Sequence, residues 1–204
     1  ILGIITATFV LAQFTKGNPL VSIIGVRQLG NPEVVAAAKA RWGLDGSVPE
    51  RYVVYIKNLL TGDLGTSFRT KQPVLQDLAV RLPATLELVI AAMIVGATTG
   101  IALGVVSAQF RDSAVDYGAR LVALLGSCVP MFWFGLLVLF IFTVKTDLLP
   151  GPGRLDIRSV APPVVTGFMT IDTLLAGRWD GFVEALRHLV LPAVTLGILG
   201  SGWY

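Results

Sequence analysis

Groups that could act as acids, bases or nucleophiles are scarce in this sequence. Its one histidine, His188, is the sole imidazole available as a general base, and a HExxH zinc motif therefore cannot form. Ser201 follows thirteen residues later on the same predicted helix, which places it about 20 Å away by helical rise. That separation is too great for proton transfer, so we interpret His188 as an interfacial residue at the start of a membrane helix.

Other catalytic and ligand-binding patterns are also missing from the sequence. It contains no P-loop, dinucleotide-binding fingerprint or cysteine cluster, and its two long apolar runs hold no paired aspartates. Cys128, the single cysteine, has no metal-ligand neighbours and is interpreted as a small core residue. The chain by itself is expected to have no catalytic residues, to hydrolyse no ATP, and to bind neither a metal nor a cofactor.

Several residues instead fit a path through a membrane. Pro130 lies in the middle of an apolar run, where it removes a backbone hydrogen bond and predicts a bend, as a hinge or through ordinary packing. Glu87 lies at the start of another apolar run. Burying its charge below the lipid headgroups costs free energy unless the carboxylate is paired or hydrated. Gly96, Gly100 and Gly104 recur every four residues, the spacing that allows close helix packing.

The apolar runs are the elements that must position these residues. Hydrophobic residues make up 54% of the chain and charged residues 14%, where soluble domains carry roughly 25% charged residues. Residues 88–110 and 121–144 hold no charged residue or histidine, and as helices they reach roughly 34 and 36 Å, enough to cross about 30 Å of hydrocarbon. The runs at 1–14 and 189–204 are shorter and are interpreted as two partial spans that further sequence would complete.

Three polar segments separate the apolar runs, at 15–87, 111–120 and 145–188. They carry nine, two and five basic residues. Because these residues are spread over all three segments, they do not form the basic stripe expected for nucleic-acid binding. Anionic lipid headgroups are the expected counterpart of the net charge of +3. Charge counts alone leave the orientation in the membrane open, because long loops escape the positive-inside rule.

Short helices are predicted within the two longer polar segments. Asn31 before Pro32 is a helix-start signal and Gly43 ends that helix, while a proline at position 83 is expected to end another. The predicted helices cover 34–42, 49–61, 74–82, 171–175 and 181–188.

The order of these pieces resembles the dipeptide and oligopeptide permease subunits of binding-protein-dependent ABC importers, a group that also handles nickel chelates and glutathione. Each piece is weak alone, but their order and spacing along nearly the whole chain are specific. One departure is Asn18, where the family usually has Asp. The pieces are Lys16 to Pro19, Gly62 to Ser67 with Pro73 and Val74, Arg81 to Leu88, Asp112 and Asp116, Ser127 to Gly135, Leu149 and Pro150, and His188 to Ala193.

The resemblance implies an all-α, polytopic transmembrane helical bundle, truncated at both ends, with a small helical extracytoplasmic lobe. It implies a multi-pass protein of the bacterial inner membrane in which 15–87 and 145–188 face outward and 111–120 is a short cytoplasmic loop. The implied partners are the lipid bilayer, a second permease subunit forming a heterodimer, two ATP-binding subunits and an extracytoplasmic solute-binding protein. No nucleic acid is expected.

The resemblance also implies a function: a permease subunit that forms part of the translocation path for peptides or similar small solutes. Separate ATPases would drive alternating access. The family's ATPase-coupling helix would follow Tyr204, so this coupling is implied by the resemblance alone. The residues expected along the path are Glu87, Ser127, Phe132 and Trp133, with Pro130 as the hinge.

Two other classes of function stay open at this stage. A passive channel or a non-transporting membrane scaffold is compatible with the apolar runs. An intramembrane enzyme is the weaker alternative, because it needs a second catalytic partner for His188 that the sequence does not offer. The solute is not identified, since specificity in the resembled family is largely set by the separate binding protein.

Overall fold

The computed structural model describes residues 2–14, 20, 24–67 and 69–200. Side chains at 26, 41, 122, 123 and 125–127 lie outside this description, as do the Lys16 to Pro19 motif and Tyr204. The regular elements of the described residues are helices. They divide into two compact units, one up to Ala79 and one from Val80 onward.

In the first unit, helices α1 and α3 pack together through aromatic rings. Phe9 is buried, and its ring centroid lies 5.2 Å from that of Tyr52 and 5.4 Å from that of Tyr55. The hydroxyls of Thr6 and Tyr52 are 2.7 Å apart. The helices are α1 (Leu2–Phe14), α2 (Pro32–Trp42) and α3 (Val48–Leu60), with a 3-10 turn at Val26–Gln28.

The sequence signals for α2 act as expected. The Asn31 side chain accepts a hydrogen bond from Glu33 N at 3.1 Å, and Pro32 occupies the first helical position, where its missing N–H costs nothing. Gly43 ends the helix with φ 61°, a left-handed conformation that a residue with a Cβ adopts only with strain. The predicted helices at 34–42 and 49–61 are both confirmed.

Helix α4 (Val74–Gln109) joins the predicted helix at 74–82 and the predicted span at 88–110 into one element. The prediction that a helix ends at Pro83 is wrong. A proline inside a helix removes one donor and bends the backbone, but it does not have to stop the helix when neighbours accommodate its ring. Here the ring packs so closely on Gly167 that a Cβ on that glycine would lie 2.8 Å from it. At 36 residues, α4 is about 54 Å long, well beyond the thickness of a hydrocarbon core.

The predicted span at 121–144 is not one continuous helix. Helix α5 (Ala114–Cys128) ends before Pro130, and α6 (Met131–Leu139) begins after it and runs into a π-helical turn, Phe140–Lys145. Pro130 has φ −61° and ψ 129°, which is extended backbone. Its ring disfavours a helical conformation for the preceding residue, and here the expected bend takes the form of a full break.

Two helices follow the irregular segment 146–168. Helix α7 (Met169–Leu175) precedes α8 (Trp179–Gly200), which packs against both α7 and α6. Helix α8 joins the predicted short helix at 181–188 to the apolar run that follows it. Among the described residues, α4 and α8 are long and apolar enough to cross a membrane, while α1 and Met131–Lys145 are shorter apolar helices.

Helices α4 and α8 cross at two glycines. A Cβ on Gly96 would lie 3.0 Å from the carbonyl oxygen of Gly197, and a Cβ on Gly197 would lie 2.8 Å from both the Ala92 oxygen and the Val95 side chain. Among the described residues nothing lies within 4 Å of a Cβ placed on Gly104. Packing at Gly104 and Gly100 stays a prediction, and Gly197 is a contact residue that the sequence pattern did not single out.

Candidate functional site

Charged side chains from the neighbouring helices hold segment 146–168 in place. It contains no regular helix or strand, so its backbone groups need partners from elsewhere. Carboxylates on α4, α7 and α8, two side chains on α8, and an arginine just before α8 supply many of them. We call this set the loop clamp. Its members are Glu87, Asp172, Glu184, Arg178, Arg187 and His188, with Arg154 in the segment itself.

Glu87 is the most heavily engaged of the clamp residues. Its carboxylate is buried and accepts hydrogen bonds from Arg154 Nη2 at 2.7 Å and from Met169 N at 3.1 Å. The other oxygen accepts from Thr170, through N at 2.8 Å and the hydroxyl at 2.6 Å. Arg154 Nη2 also donates to Gly167 O at 2.8 Å. Four donors from its own chain therefore satisfy this charge, which meets the pairing requirement of a buried carboxylate.

Asp172 holds the turn that leads into α7. It is 3% exposed and accepts hydrogen bonds from Thr166 N at 2.8 Å, Thr166 Oγ1 at 2.7 Å and Gly167 N at 2.9 Å. Burial raises the pKa of the Asp172 carboxyl, but the hydrogen bonds from Thr166 and Gly167 outweigh it and hold that pKa below its ordinary value. Asp172 is therefore ionised at neutral pH and fixes the backbone before α7.

Helix α8 and the residue just before it hold the part of the segment up to Val160. Glu184 accepts from Asp156 N at 2.6 Å and from the Ser159 hydroxyl at 2.8 and 2.9 Å. Arg178 donates to the carbonyl of Val160, and Arg187 donates to that of Leu148 at 3.0 Å. These hydrogen bonds hold the irregular segment at several points, which favours a single backbone conformation.

His188 lies on the buried face of α8. Its side chain is 8% exposed, and Nδ1 is 3.1 Å from the carbonyl oxygen of Gly151. Because a carbonyl can only accept, Nδ1 must carry the proton, and a neutral imidazole then presents Nε2 as an acceptor. His188 therefore lies against the loop backbone, and its expected interfacial position stays a prediction.

Two cavities border the loop clamp, and His188 lines both. The smaller, about 310 Å³, is lined by Glu87, Leu88, Arg154, Met169, Leu189 and Pro192 among others. The larger, about 710 Å³, is lined by Asp147, Asp156, Glu184 and Arg187 together with the proline-rich stretch 149–152. The first is mainly apolar around one ion pair, whereas the second is bordered by charged groups.

The residues expected along the translocation path differ in their exposure and in the elements on which they lie. Phe132 and Trp133 lie on α6 with side chains 73% and 52% exposed, directly after the break at Pro130. Ser127 belongs to α5, and its side chain lies outside the described residues. Glu87 is instead buried in the loop clamp. The assignment of these residues to the path therefore stays a prediction. For Glu87, the alternative is that its carboxylate holds segment 146–168 and α7 in position.

Sequence reasoning missed most of the clamp. Arg154, Asp172 and Glu184 drew no attention because each lies in an ordinary polar segment, and the pairing of Glu87 with Arg154 bridges 67 positions. The available signal was the charge of Glu87 at the start of an apolar run, which required a partner without indicating which one.

A second carboxylate cluster fixes the short turn between α4 and α5. Asp116 is 1% exposed and binds Arg120 through two bonds, at 2.9 Å to Nε and 2.7 Å to Nη2. It also accepts from the hydroxyl of Ser107 and from Asp112 N at 3.0 Å. The Ser107 and Asp112 hydrogen bonds are the main causes that hold the pKa of Asp116 below its ordinary value, and Asp116 in turn raises the pKa of Arg120.

Comparison of the sequence with known proteins identifies its family. The family model described as "Binding-protein-dependent transport system inner membrane component" matches residues 100–204, just over half of the chain. The di/tripeptide transport system permease DppB of Pseudomonas aeruginosa is 40% identical over 197 residues, which cover 97% of this chain and 58% of that protein.

Two dipeptide transport system permeases named DppB give similar values. That of Alkalihalophilus pseudofirmus is 36% identical over 201 residues, covering 98% of this chain and 59% of the relative. That of Escherichia coli is 36% identical over 201 residues, covering 97% and 59%. The chain thus spans about three-fifths of the length of the curated relatives it matches. It belongs to the family of inner membrane components of binding-protein-dependent transport systems.

Proposed function

We propose that this chain is part of the membrane-spanning permease subunit of an ABC importer for peptides or similar small solutes. The observation that carries the proposal is the 36–40% identity to peptide transport permeases over nearly the whole chain, together with the family match. The proposed subunit is multi-pass in the bacterial inner membrane. It works with a second permease, two ATP-binding subunits and an extracytoplasmic solute-binding protein.

The proposed topology follows from the two long apolar helices and the polar segments around them. Helices α4 and α8 cross the membrane, and α5 and α6 together form a broken third crossing around Pro130. Residues 15–87 and 145–188 then lie outside, with the turn at 111–120 inside. The Asp116 and Arg120 pair gives that cytoplasmic turn a fixed geometry in this arrangement.

The clamped segment 146–168 is proposed as a docking surface for the solute-binding protein. Its backbone is held by the loop clamp, while four aliphatic side chains project from it. A rigid surface with exposed apolar groups suits protein binding, because little conformational entropy is lost on association. These side chains are Ile157, Val160, Val164 and Val165, which are 99%, 74%, 84% and 68% exposed.

The translocation path is proposed to run along α6 and the break that precedes it. Phe132 and Trp133 are exposed there in this chain, and Ser127 lies just before the break. Pro130 leaves the two helical segments without a continuous hydrogen-bond ladder, so they can tilt separately as the ATPases drive alternating access. Glu87 is assigned a positioning role, because all four of its hydrogen bonds go to its own chain.

Uptake of a labelled peptide tests the proposal directly. The complete permease that contains this chain is co-expressed with its second permease, ATPases and binding protein in bacteria that lack other peptide uptake systems. We expect accumulation of radiolabelled dialanine that requires each of the four components. The matched control carries ATPases with an inactivated catalytic site and should accumulate none.

The same assay separates the proposal from its rivals. Accumulation that continues without ATP hydrolysis or without the binding protein would identify a passive channel. If the complete system accumulates no peptide although all of its subunits reach the membrane, the chain is not a peptide permease.

A further inference from the structure

Helix α3 of the first unit carries an apolar strip that is largely exposed. At about 100° of rotation per residue, Val53, Ile56 and Leu60 share one side of this helix. Val53 is 64% exposed and Leu60 is 82% exposed. Arg51 and Asn58 lie on the opposite side by the same spacing. An exposed apolar strip opposite a polar side is typical of helices that bind a lipid surface or another protein.

The side of α3 between the strip and the polar residues packs against α1. Phe9 of α1 is buried, and its ring contacts those of Tyr52 and Tyr55 at centroid distances of 5.2 and 5.4 Å. The Tyr52 hydroxyl is paired with that of Thr6 at 2.7 Å, so the polar end of this ring is satisfied although it reaches along an apolar helix. The strip therefore lies directly beside the contact with α1.

The surface of α1 is apolar and exposed as well. This helix holds no charged residue, and Leu2, Ile4, Leu11 and Phe14 are 68–77% exposed. It is one of the shorter apolar helices, and in the proposed multi-pass subunit it belongs to a membrane span whose exposed side chains contact lipid. The strip on α3 continues this lipid-facing surface, because the two tyrosines hold α3 against α1.

The position of the contact along α1 sets the depth of α3. Phe9 precedes Phe14, the last residue of α1, by five positions, or about 7.5 Å of helical rise. Lys16 is the first charged residue after the apolar run and is expected among the lipid headgroups. An interfacial helix buries its apolar face about 5–10 Å into the boundary between headgroups and acyl chains. The contact at Phe9 matches that depth.

We propose that α3 lies in the outer interface of the membrane, with Val53, Ile56 and Leu60 in contact with the acyl chains of outer-leaflet lipids. The inference rests on the proposed function, which makes α1 part of a membrane span. Lys57 is exposed and borders the strip one turn after Val53, where its stem can cover lipid while its ammonium reaches the phosphates. Lipid fits this strip better than the binding protein does, because a water-soluble partner would have to enter the headgroup layer to cover it.

Spin labels on single cysteines measure the depth of α3 in the assembled transporter. The transporter is reconstituted without the binding protein in nanodiscs of phosphatidylethanolamine and phosphatidylglycerol, with Cys128→Ser and any other native cysteine also replaced. Val53→Cys and Leu60→Cys place labels on the strip. Arg51→Cys is the matched control on the opposite side of the same helix, and Leu11→Cys reports on α1.

The measurement is the accessibility of each label to oxygen, which concentrates in lipid, relative to a water-soluble nickel chelate. We expect the ratio of oxygen to nickel accessibility to be severalfold higher at Val53 and Leu60 than at Arg51, and as high at Leu11. The cysteine substitutions on the strip replace exposed side chains, so the fold should tolerate them.

Three results would overturn the interfacial position of α3. A ratio at the strip no higher than that at Arg51 would mean that the strip faces water, and low access to both reagents would mean that a protein partner covers it. A low ratio at Leu11 would remove the premise that α1 lies in lipid. If dialanine uptake depends on ATP and the binding protein while the strip labels face water, only the position of α3 is refuted. If the wild type transports no peptide, the proposed function fails whatever the labels show.

Discussion

Oε2 of Glu87 lies 2.7 Å from Nη2 of Arg154, which follows it by 67 positions in the chain. The glutamate side chain is 8% exposed and the arginine side chain 33%, so the pair is buried on the carboxylate side. Because the same guanidinium also binds Gly167 O, one ion pair connects α4 to both halves of segment 146–168. Removing either partner leaves a charge without its counterpart in a poorly solvated place.

Replacing one member of this pair should therefore destabilise the protein strongly. We expect Glu87→Gln to lower the free energy of unfolding by about 3 kcal/mol, the low end of the range for buried pairs because Arg154 is partly solvated. In a double-mutant cycle with Arg154→Met, the two effects should be non-additive by more than about 1 kcal/mol. The readout is denaturant unfolding of the purified transporter.

The surface pair of Arg111 and Asp112 is the control for that cycle. Its nitrogen and oxygen are 3.7 Å apart, and both side chains are more than 70% exposed. Exposed pairs contribute about 0–1 kcal/mol, so Arg111→Met with Asp112→Asn should show almost no coupling. Equal coupling in both pairs would contradict a structural role for Glu87.

Asp172 predicts an acid-sensitive contribution to stability. A carboxyl whose native pKa is lowered stabilises the folded state above its ordinary pKa of about 3.9, and that stabilisation is lost as pH falls through the lowered native value. Asp172→Asn cannot ionise, and its amide nitrogen would face the donor of Gly167. The variant should melt at a lower temperature than the wild type at pH 7, and the gap should narrow below about pH 4.

The control for the acid series is Asp180→Asn, which changes an exposed aspartate in the first turn of α8. Its melting temperature should follow that of the wild type across the series. A gap between wild type and Asp172→Asn that widens on acidification would show that the aspartate is not held in its ionised form.

Two glycine substitutions distinguish a glycine in close contact with another helix from one that only fits the four-residue spacing. Gly197→Ala would place a methyl group 2.8 Å from the Ala92 oxygen, and such overpacking costs about 1–3 kcal/mol. Gly104→Ala meets nothing within 4 Å among the described residues, and alanine favours a helix over glycine by about 1 kcal/mol. We expect thermal unfolding to show a loss for the first and no loss for the second. Equal losses would mean that Gly104 packs against a partner helix.

Local features of this fold are readable from the sequence, while its long-range pairs are not. Asn31 and Gly43 mark the ends of α2 because caps depend on neighbouring residues only. Pro83 and Pro130 are locally similar, yet the helix continues through one and breaks at the other. The difference lies in tertiary surroundings such as the packing of Pro83 on Gly167, which no local signal encodes.

The candidate site illustrates the same limit. The charge of Glu87 indicated that a partner was needed, but its donors come from positions 154, 169 and 170. A single sequence does not specify which distant polar residues meet, because many pairings satisfy the same hydrophobic pattern. Phe132 and Trp133 were selected with the family-like segment Ser127 to Gly135; both are exposed, and their place on the path stays a prediction.

Pro130→Ala should change transport more than it changes the amount of protein in the membrane. The amides of Met131 and Phe132 lie in the first turn of α6, where no earlier helical carbonyl accepts from them. An alanine at 130 permits α5 and α6 to join, and both amides would then bond to carbonyls four residues earlier. We expect slower hydrogen exchange at these amides and a severalfold loss of dialanine uptake per transporter.

Pro192→Ala is the control, since α8 already continues through that proline, and its uptake should stay within about twofold of the wild type. A parallel fall in uptake and membrane amount for Pro130→Ala would instead assign Pro130 to packing, because a hinge is needed for movement and not for assembly.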